Sequence, residues 1–290
     1  MKKNNELKEK IRHFCKKAGA DLIGFAPAER WDEANEMPPE FRPQAIWKQA
    51  CTVIVLGVAM PLPIVETTPS FLHKEMYTAA NQTLDGLAFN LVRYLNRLGH
   101  PAFFLTRDGF CSLQVLRERP QVIFSHVMAA KYAGLGTIGV NNCLLTPEFG
   151  PRVRFVSVFT SAYIPPDSMI EKDLCIKCGA CEKCCPVNAI TQREDRVRGD
   201  YNYTACLDKH IELGRYKNYP CGICTKVCPI GKDRDLYQQK DINIYLREKE
   251  ALAADPDDPA YRAWTHVRKY GSWNAQYPPA RKKEDNFGHK

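Results

Sequence analysis

The cysteines of this 290-residue chain follow a spacing that few folds accommodate. Nine of the 13 cysteines lie between Cys175 and Cys228. Within this stretch, C-x2-C-x2-C-x3-C-P begins at Cys175, and C-x2-C-x3-C-P begins at Cys221. This is the ligand spacing of bacterial ferredoxins, which hold [4Fe–4S] clusters. A zinc site needs only four ligands, usually from two C-x2-C pairs, and therefore fits this run poorly.

Together with Cys206, which stands 15 residues before Cys221, the two motifs supply the eight thiolates that two cubane clusters need. In the crossed ligation of two-cluster ferredoxins, the fourth cysteine of each motif binds the other cluster. The cysteines predicted for cluster one are Cys175, Cys178, Cys181 and Cys228. The cysteines predicted for cluster two are Cys185, Cys206, Cys221 and Cys224.

The other five cysteines are not needed as ligands. Cys184 is predicted to be a buried or half-exposed thiol beside Cys185. Four more lie in apolar or loop settings and are predicted to be core residues; they are Cys15, Cys51, Cys111 and Cys143.

Three lysines lie among the predicted ligands: Lys177, Lys183 and Lys226. Positive charge there would favour the reduced clusters and guide an acidic electron donor. The alternative is that these lysines only keep the loops soluble.

The first part of the chain alternates helical and strand-like patterns. Helices are predicted over Leu7–Ala18, Phe71–Gly99 and Gln121–Ala133. Short apolar or β-branched runs predict strands at Asp21–Ala26, Thr52–Met60, Ala102–Thr106, Cys143–Thr146 and Val153–Thr160. We therefore expect an α+β protein with three parts. These are a layered α/β domain over 1–164, a ferredoxin-like domain over 165–235, and a C-terminal helix with a wrapping tail over 236–290.

The segment AGLGTIGVN at Ala133–Asn141 carries a G-x-G-x-x-G pattern. A dinucleotide fingerprint should follow a strand and open a helix, but this segment follows a helix and leads into a strand. The glycines then provide either a turn with positive φ angles or a backbone that can approach a bulky cofactor closely.

These motifs, in this order, resemble those of epoxyqueuosine reductase and, more distantly, of the corrinoid reductive dehalogenases. The resemblance covers roughly residues 5–235 and rests on AGLGTIGVNN, CIKCGACEKCCP and CGICTKVCP. It implies a base-off cobalamin between the first domain and the ferredoxin-like domain, reduced by the clusters and in turn reducing a substrate. By position, five residues would contact the corrin: Gly134, Leu135, Gly136, Gly139 and Asn141. His126 lies nearby, and a lone histidine is more often structural than a cobalt ligand.

The chain departs from that family at two places. The family usually continues GLG-W-x-G-K, where this chain has Thr137 and Val140. It also carries a catalytic aspartate about 14 residues before the first glycine, a position near Pro120 here. Asp108 is the nearest aspartate upstream. The catalytic proton donor is therefore not identified from the sequence.

The composition, with 44% hydrophobic and 26% charged residues, excludes a disordered or fibrous chain. The charged first 17 residues and the lack of a long apolar run predict a cytoplasmic protein without a membrane span. The net charge of +8 is a weak indication of polyanionic partners. We expect an iron–sulfur reductase that uses a low-potential donor such as ferredoxin or flavodoxin and acts on tRNA or a small molecule. The alternatives are an electron-transfer or corrinoid-reducing partner protein without its own substrate, and a dicluster ferredoxin with a docking domain.

Overall fold

A four-stranded antiparallel sheet forms the centre of the first part of the chain, in a computed structural model that describes residues 2–237, 241–256, 258–261 and 266–268. The strands of the described residues are β1 (Leu22–Pro27), β2 (Thr52–Ala59), β3 (Ala102–Leu105), β4 (Thr137–Ile138), β5 (Leu144–Leu145), β6 (Val153–Thr160), β7 (Ile190–Thr191) and β8 (Asp200–Tyr201). The α-helices are α1 (Lys2–Lys17), α2 (Arg30–Ala34), α3 (Pro43–Ile46), α4 (Leu62–Val65), α5 (Phe71–Arg97), α6 (Leu113–Glu118), α7 (His126–Tyr132), α8 (Ala180–Lys183), α9 (Tyr203–Arg215), α10 (Ile223–Lys226) and α11 (Asn243–Ala254). Short 3-10 turns lie at Pro39–Phe41, Lys232–Tyr237 and Pro259–Tyr261.

The sheet has the order β1-β2-β6-β3 and is covered on both faces. Side chains alternate between the faces of a strand, so β2 contributes to two separate cores. Ile54 and Leu56 pack with α1 and α5 on one side. Val53 and Val55 pack with α7 on the other side. This double burial explains why β2 reads as an almost continuous β-branched run rather than as an alternating pattern.

The predicted elements of the first part are largely present. Helix α5 begins after Ser70, whose side chain accepts a hydrogen bond from the His73 backbone N–H and caps the helix. Leucines recur at helical spacing along α5, and four of them are buried; they are Leu84, Leu87, Leu91 and Leu95. Leu98, the last leucine of that run, is 46% exposed because the helix ends at Arg97.

The helix predicted over Gln121–Ala133 is shorter than expected. Helix α7 starts only at His126, after Ser125 caps it by accepting a hydrogen bond from the Met128 N–H. A serine side chain that accepts a hydrogen bond from a backbone N–H three residues later favours the start of a helix at that point. Helix α7 therefore begins after Ser125 and not at Gln121. As expected, the glycine-rich segment follows this helix and leads into β4.

Two buried arginines connect the second cysteine motif to the rest of the chain by hydrogen bonds and ion pairs. Arg152, just before β6, donates hydrogen bonds to the carbonyl oxygens of Cys228 (3.0 Å) and Ile230 (2.6 Å) and pairs with Asp233. Arg234 donates to the same Cys228 carbonyl (3.0 Å) and pairs with Glu66, which follows α4. The guanidinium groups therefore set the position of this motif relative to the sheet.

No helix of the described residues is long and apolar enough to cross a membrane. The tail that is predicted to wrap the protein contains four aromatic residues that lie outside the described residues; they are Trp264, Tyr270, Trp273 and Tyr277.

Candidate functional site

The four cysteines predicted for cluster one line a single small cavity. Cys175, Cys178 and Cys181 come from the first motif, and Cys228 comes from the end of the second. Helix α8 starts after Gly179, which is in the left-handed region (φ +75°), where glycine has no steric penalty. The fold therefore gathers the set of thiols that crossed ligation requires.

The four cysteines predicted for cluster two line a different and larger cavity of about 440 Å³. Cys206 lies in the first turn of α9, and Cys224 lies on α10. The walls opposite them come from the sheet part of the chain, including Val153 and Phe155 of β6. Cluster two would thus face β6, whereas the first part of the chain contributes Val140, Asn141 and Leu145 to the cluster-one cavity.

Burial changes the acid–base behaviour of these thiols. It raises the pKa of Cys221 and of Cys228 to about 12. Such thiols keep their protons near neutral pH unless a bound metal displaces them, so cluster assembly would release protons. Among the described residues, no three His, Cys, Asp or Glu side chains converge closely enough to hold a single metal ion; the cysteines surround cavities instead.

The glycine-rich segment packs against the chain itself. A Cβ atom on Gly134 would lie 2.2 Å from the carbonyl oxygen of Ser168, and one on Gly136 would lie 2.0 Å from that of Leu145. At Gly139 it would lie 2.8 Å from the Leu145 side chain. The close approach that requires glycine at these positions is therefore to neighbouring protein segments.

Of the five residues expected to contact a corrin, Asn141 lines both cluster cavities. The other four, which are Gly134, Leu135, Gly136 and Gly139, do not line the large cavity. The structure therefore brings one of the five to the wall between the two predicted clusters, where the Asn141 amide donates to the carbonyl oxygen of Cys224 at 3.3 Å.

His126 lines the large cavity, but both of its ring nitrogens are engaged. Nδ1 lies 2.9 Å from the Ser157 hydroxyl, and Nε2 lies 2.9 Å from the carbonyl oxygen of Thr106. Burial lowers the pKa of His126 to about 4. A neutral imidazole with two partners holds α7 against β6 and has no nitrogen left for a cobalt ion, which agrees with the structural role expected for it.

Next to the large cavity lies another cavity of similar size, about 460 Å³, which we call the second cavity. It shares lining residues with the large cavity and contains a polar cluster. Tyr77, Arg154 and Tyr219 line both cavities, and Asp108 lines the second. The Arg154 guanidinium lies 4.5 Å from the centre of the Tyr77 ring and pairs with Asp108 at 2.6 Å. The rings of Tyr77 and Tyr219 pack edge to face with their centres 5.9 Å apart, and burial raises the pKa of both hydroxyls.

Sequence reasoning missed the tyrosines and the arginine of this cluster. One signal was present: Arg154 places a charge in β6, whose other residues are uncharged and buried, and a charge in such a strand usually has a partner. Asp108 was noted only as the nearest upstream aspartate, and the structure places it at this cavity. Tyr77 and Tyr219 carry no comparable signal, because α5 and the loop before Cys221 meet only in the folded chain.

The thiols outside the two ligand sets differ in environment. Cys15 and Cys184 are buried, as expected. Cys111 is exposed and Cys51 is half-buried, so neither is a fully buried core residue. Cys143 is also half-buried, and it lines the large cavity together with Cys224. Its place beside the predicted cluster corrects the expectation that it is a core thiol.

Lys226 does not behave as a solubilising loop residue. It is buried, and its ammonium group pairs with Glu248 of α11 at 2.6 Å. Lys177 instead donates to backbone carbonyl oxygens of Arg193 and Glu194. Lys226 therefore forms part of the packing between the second motif and α11.

Comparison with known proteins agrees with this geometry. Residues 174–232 match the family described as 4Fe-4S dicluster domain. The chain is 28% identical over 263 residues to a tetrachloroethene reductive dehalogenase of Sulfurospirillum multivorans, covering 78% of this chain and 50% of that protein. It is 24% identical over 265 residues to an epoxyqueuosine reductase of Listeria monocytogenes, covering 81% and 68%. The chain thus spans about half the length of the dehalogenase.

Solved structures share the fold. The catabolic reductive dehalogenase NpRdhA in complex with 3-bromo-4-hydroxybenzoic acid superposes with a TM-score of 0.62 at 18% identity, over 94% of this chain and 39% of that one. Epoxyqueuosine reductase with an epoxyqueuosine-modified tRNA stem loop superposes with a TM-score of 0.54 at 20% identity, over 79% and 66%. The chain is therefore a mixed α and β protein with a 4Fe-4S dicluster domain, and the resemblance to the epoxyqueuosine reductase-like family that its motifs indicate is confirmed.

Proposed function

We propose that this protein is a reductase that passes single electrons through two [4Fe–4S] clusters to a base-off cobalamin. The observation that supports this most directly is the shared cavity. The thiols predicted for cluster two and side chains of β6 line the same space of about 440 Å³. A cofactor held there would lie beside the cluster and against the sheet part of the chain, which we assign to residues 1–164, with the ferredoxin-like domain at 165–235 and a C-terminal part at 236–290.

The residues around this space fit a corrinoid. The cavity of about 440 Å³ lies within the range of small-molecule sites. His73 lines the large cavity, is 1% exposed, and has no hydrogen-bond partner at Nε2 within the described residues. A buried polar atom of this kind calls for a partner, and the amide groups of a corrinoid could supply one. His126 has no nitrogen free to bind cobalt.

Bound cobalamin would supply low-valent cobalt as the reductant. The chain's own residues would provide the proton and orient the substrate. Tyr77 and Tyr219 keep their protons at neutral pH because burial raises the pKa of their hydroxyls. Arg154 lies against Tyr77 and would stabilise negative charge left on the ring oxygen after proton donation. Asp108 pairs with Arg154 and fixes its guanidinium at this position.

The substrate would enter the second cavity. Its volume of about 460 Å³ accepts a single ring system, which is the size of a modified tRNA base or of a small aromatic molecule. The relatives include an epoxyqueuosine reductase with a tRNA stem loop and a dehalogenase with a brominated hydroxybenzoate. We therefore test both classes, with a ferredoxin or flavodoxin as the low-potential electron donor.

The test begins with anaerobic reconstitution of the full chain with iron and sulfide, followed by addition of cobalamin. We expect about eight irons per chain and a change of the cobalamin spectrum to the base-off form. Turnover of epoxyqueuosine-containing tRNA and of a brominated hydroxybenzoate then separates the two substrate classes. Eight irons without cobalamin binding would leave only a dicluster electron carrier, and cobalamin binding without turnover of either substrate would favour a corrinoid-reducing partner protein.

The ligand assignment has its own test. Cys178→Ser should remove cluster one and halve the iron content, because Cys178 lines only the cluster-one cavity. Cys111→Ser is the matched control, since this thiol is exposed and lines neither cluster cavity. Unchanged iron content and redox spectra in Cys178→Ser would reject the assignment.

A further inference from the structure

Two tyrosines at the start of α9 are exposed although they line a cavity. Tyr201 ends β8 and is 41% exposed, and Tyr203 is the first residue of α9 and is 47% exposed. Both line the second cavity of about 460 Å³. Tyr77 and Tyr219, which line the same cavity, are half-buried. The two exposed tyrosines therefore belong to the open side of the second cavity, and the two half-buried tyrosines belong to its interior.

The backbone between the two exposed tyrosines is held by hydrogen bonds on both sides. The Asn202 N–H donates to the carbonyl oxygen of Ala189 at 2.8 Å. The side-chain oxygen of Asn202 accepts a hydrogen bond from the Ala205 N–H at 3.1 Å and caps α9. Because these bonds fix the backbone, Tyr201 and Tyr203 are positioned at the second cavity before a ligand arrives, which lowers the entropy cost of binding.

Aliphatic side chains line the same cavity. Leu113 and Leu116 lie on α6, which is connected to α9 by the ion pair of Arg117 with Asp208 at 2.6 Å. The second cavity thus combines aromatic rings with aliphatic surface close to solvent. Such a surface suits a flat aromatic ring, which stacks on or packs edge to face against other rings.

We propose that Tyr201 and Tyr203 form a stacking subsite, which binds a planar aromatic ring of the substrate at the open side of the second cavity. This inference rests on the proposed function, because it concerns the substrate of the same site. The proton-donating cluster around Tyr77 and Arg154 acts on the reacting group, whereas the subsite contributes affinity and takes part in no bond change. Stacking tolerates different rings, because every planar aromatic ring has a π face.

A single exposed tyrosine on a protein surface needs no such explanation. Tyr163 is 55% exposed and lines none of the cavities described above. Tyr201 and Tyr203 differ from it because two exposed rings, two residues apart, line one cavity. The ring that they bind is either a nucleobase next to the reacting nucleoside of a nucleic acid or the ring of a small aromatic molecule. Both present a π face, and the choice of probes distinguishes them.

The experiment is anaerobic isothermal titration calorimetry of the reconstituted full chain. The probes are an epoxyqueuosine-containing tRNA stem loop and 3-bromo-4-hydroxybenzoate. Tyr203→Leu removes the ring, and Tyr203→Phe is the conservative variant that keeps it. Tyr203 is the position of choice because it lines the second cavity alone, whereas Tyr201 also lines the large cavity beside cluster two. Tyr163→Leu is the matched control, and the iron content of each variant verifies that the clusters are intact.

We expect Tyr203→Leu to weaken the binding of one or both probes about tenfold, while Tyr203→Phe and Tyr163→Leu bind as the wild-type chain does. For a probe that is turned over, KM should rise with kcat unchanged, because the subsite binds the ground state and the transition state equally. A loss with the stem loop alone identifies the ring as a nucleobase, and a loss with the hydroxybenzoate identifies a small aromatic ring.

Three results would overturn the inference. They are equal affinities of Tyr203→Leu and the wild-type chain for both probes, an equal loss in Tyr203→Phe, and binding of neither probe by the wild-type chain. Failure of the proposed function is recognised separately, because it appears as missing iron or missing cobalamin binding in the wild-type chain.

Discussion

The buried arginine before β6 allows a quantitative prediction. The Arg152 side chain is 0% exposed and makes two contacts with the Asp233 carboxylate, at 2.5 and 2.6 Å. It also donates to the carbonyl oxygens of Thr225, Cys228 and Ile230. Arg152→Met leaves the Asp233 charge without this partner in a buried position. Removing one member of a buried pair costs about 3–5 kcal/mol.

The loss should appear as a lower melting temperature. At roughly 2 °C per kcal/mol for a protein of this size, the expected decrease is about 6–10 °C. The assay is anaerobic thermal unfolding by circular dichroism, with iron release recorded in parallel. Arg193→Met is the control, because its pair with Asp195 is exposed on both sides and should contribute about 0–1 kcal/mol. Equal melting temperatures for Arg152→Met and Arg193→Met would refute the reasoning.

Two other changes test packing and acid stability. Gly136→Ala should destabilise the chain by about 1–3 kcal/mol, because its Cβ would lie 2.0 Å from the carbonyl oxygen of Leu145. Gly86→Ala in α5 meets nothing within 4 Å and should stabilise it by about 0.5–1 kcal/mol; urea unfolding distinguishes the two, and equal effects would contradict the packing. Burial lowers the pKa of His126 to about 4, so the unfolded chain binds more protons between this value and about 6.5. The contribution of His126, up to about 3 kcal/mol, is therefore present above pH 6.5 and lost as the pH falls toward 4. Urea unfolding across this range should show a flatter acid limb in His126→Gln, and an identical limb would reject the prediction.

The cysteine motifs carry much of the site information within the amino-acid sequence. The spacing of thiolates along a short loop is a local property, because neighbouring ligands must reach the corners of one cluster. The pairing of Cys228 with the first motif follows from the ferredoxin pattern, and the fold places Cys228 in that cavity. The strands β2 and β6 can also be predicted from the sequence, since both are long, buried and rich in β-branched residues.

Other parts of the site arise only when distant segments meet. Tyr77 lies on α5, Arg154 on β6 and Tyr219 before the second motif, and no sequence period links them. The glycines of AGLGTIGVN suggested close approach to a cofactor, but glycine reports only that something lies near the backbone. Here the neighbours include the carbonyl oxygens of Ser168 and Leu145.

The sequence by itself determined that two sets of four thiols exist, because the spacing of the ligands is a property of the order of residues along the chain. The tertiary structure decided which set faces the large cavity and which side chains surround its sulfurs. Cys143 illustrates the difference: in the sequence it is one apolar thiol among several, and in the fold it lines the same cavity as Cys224. Burial, charge pairing and sulfur contacts depend on packing between remote segments, and only the folded chain brings those segments together.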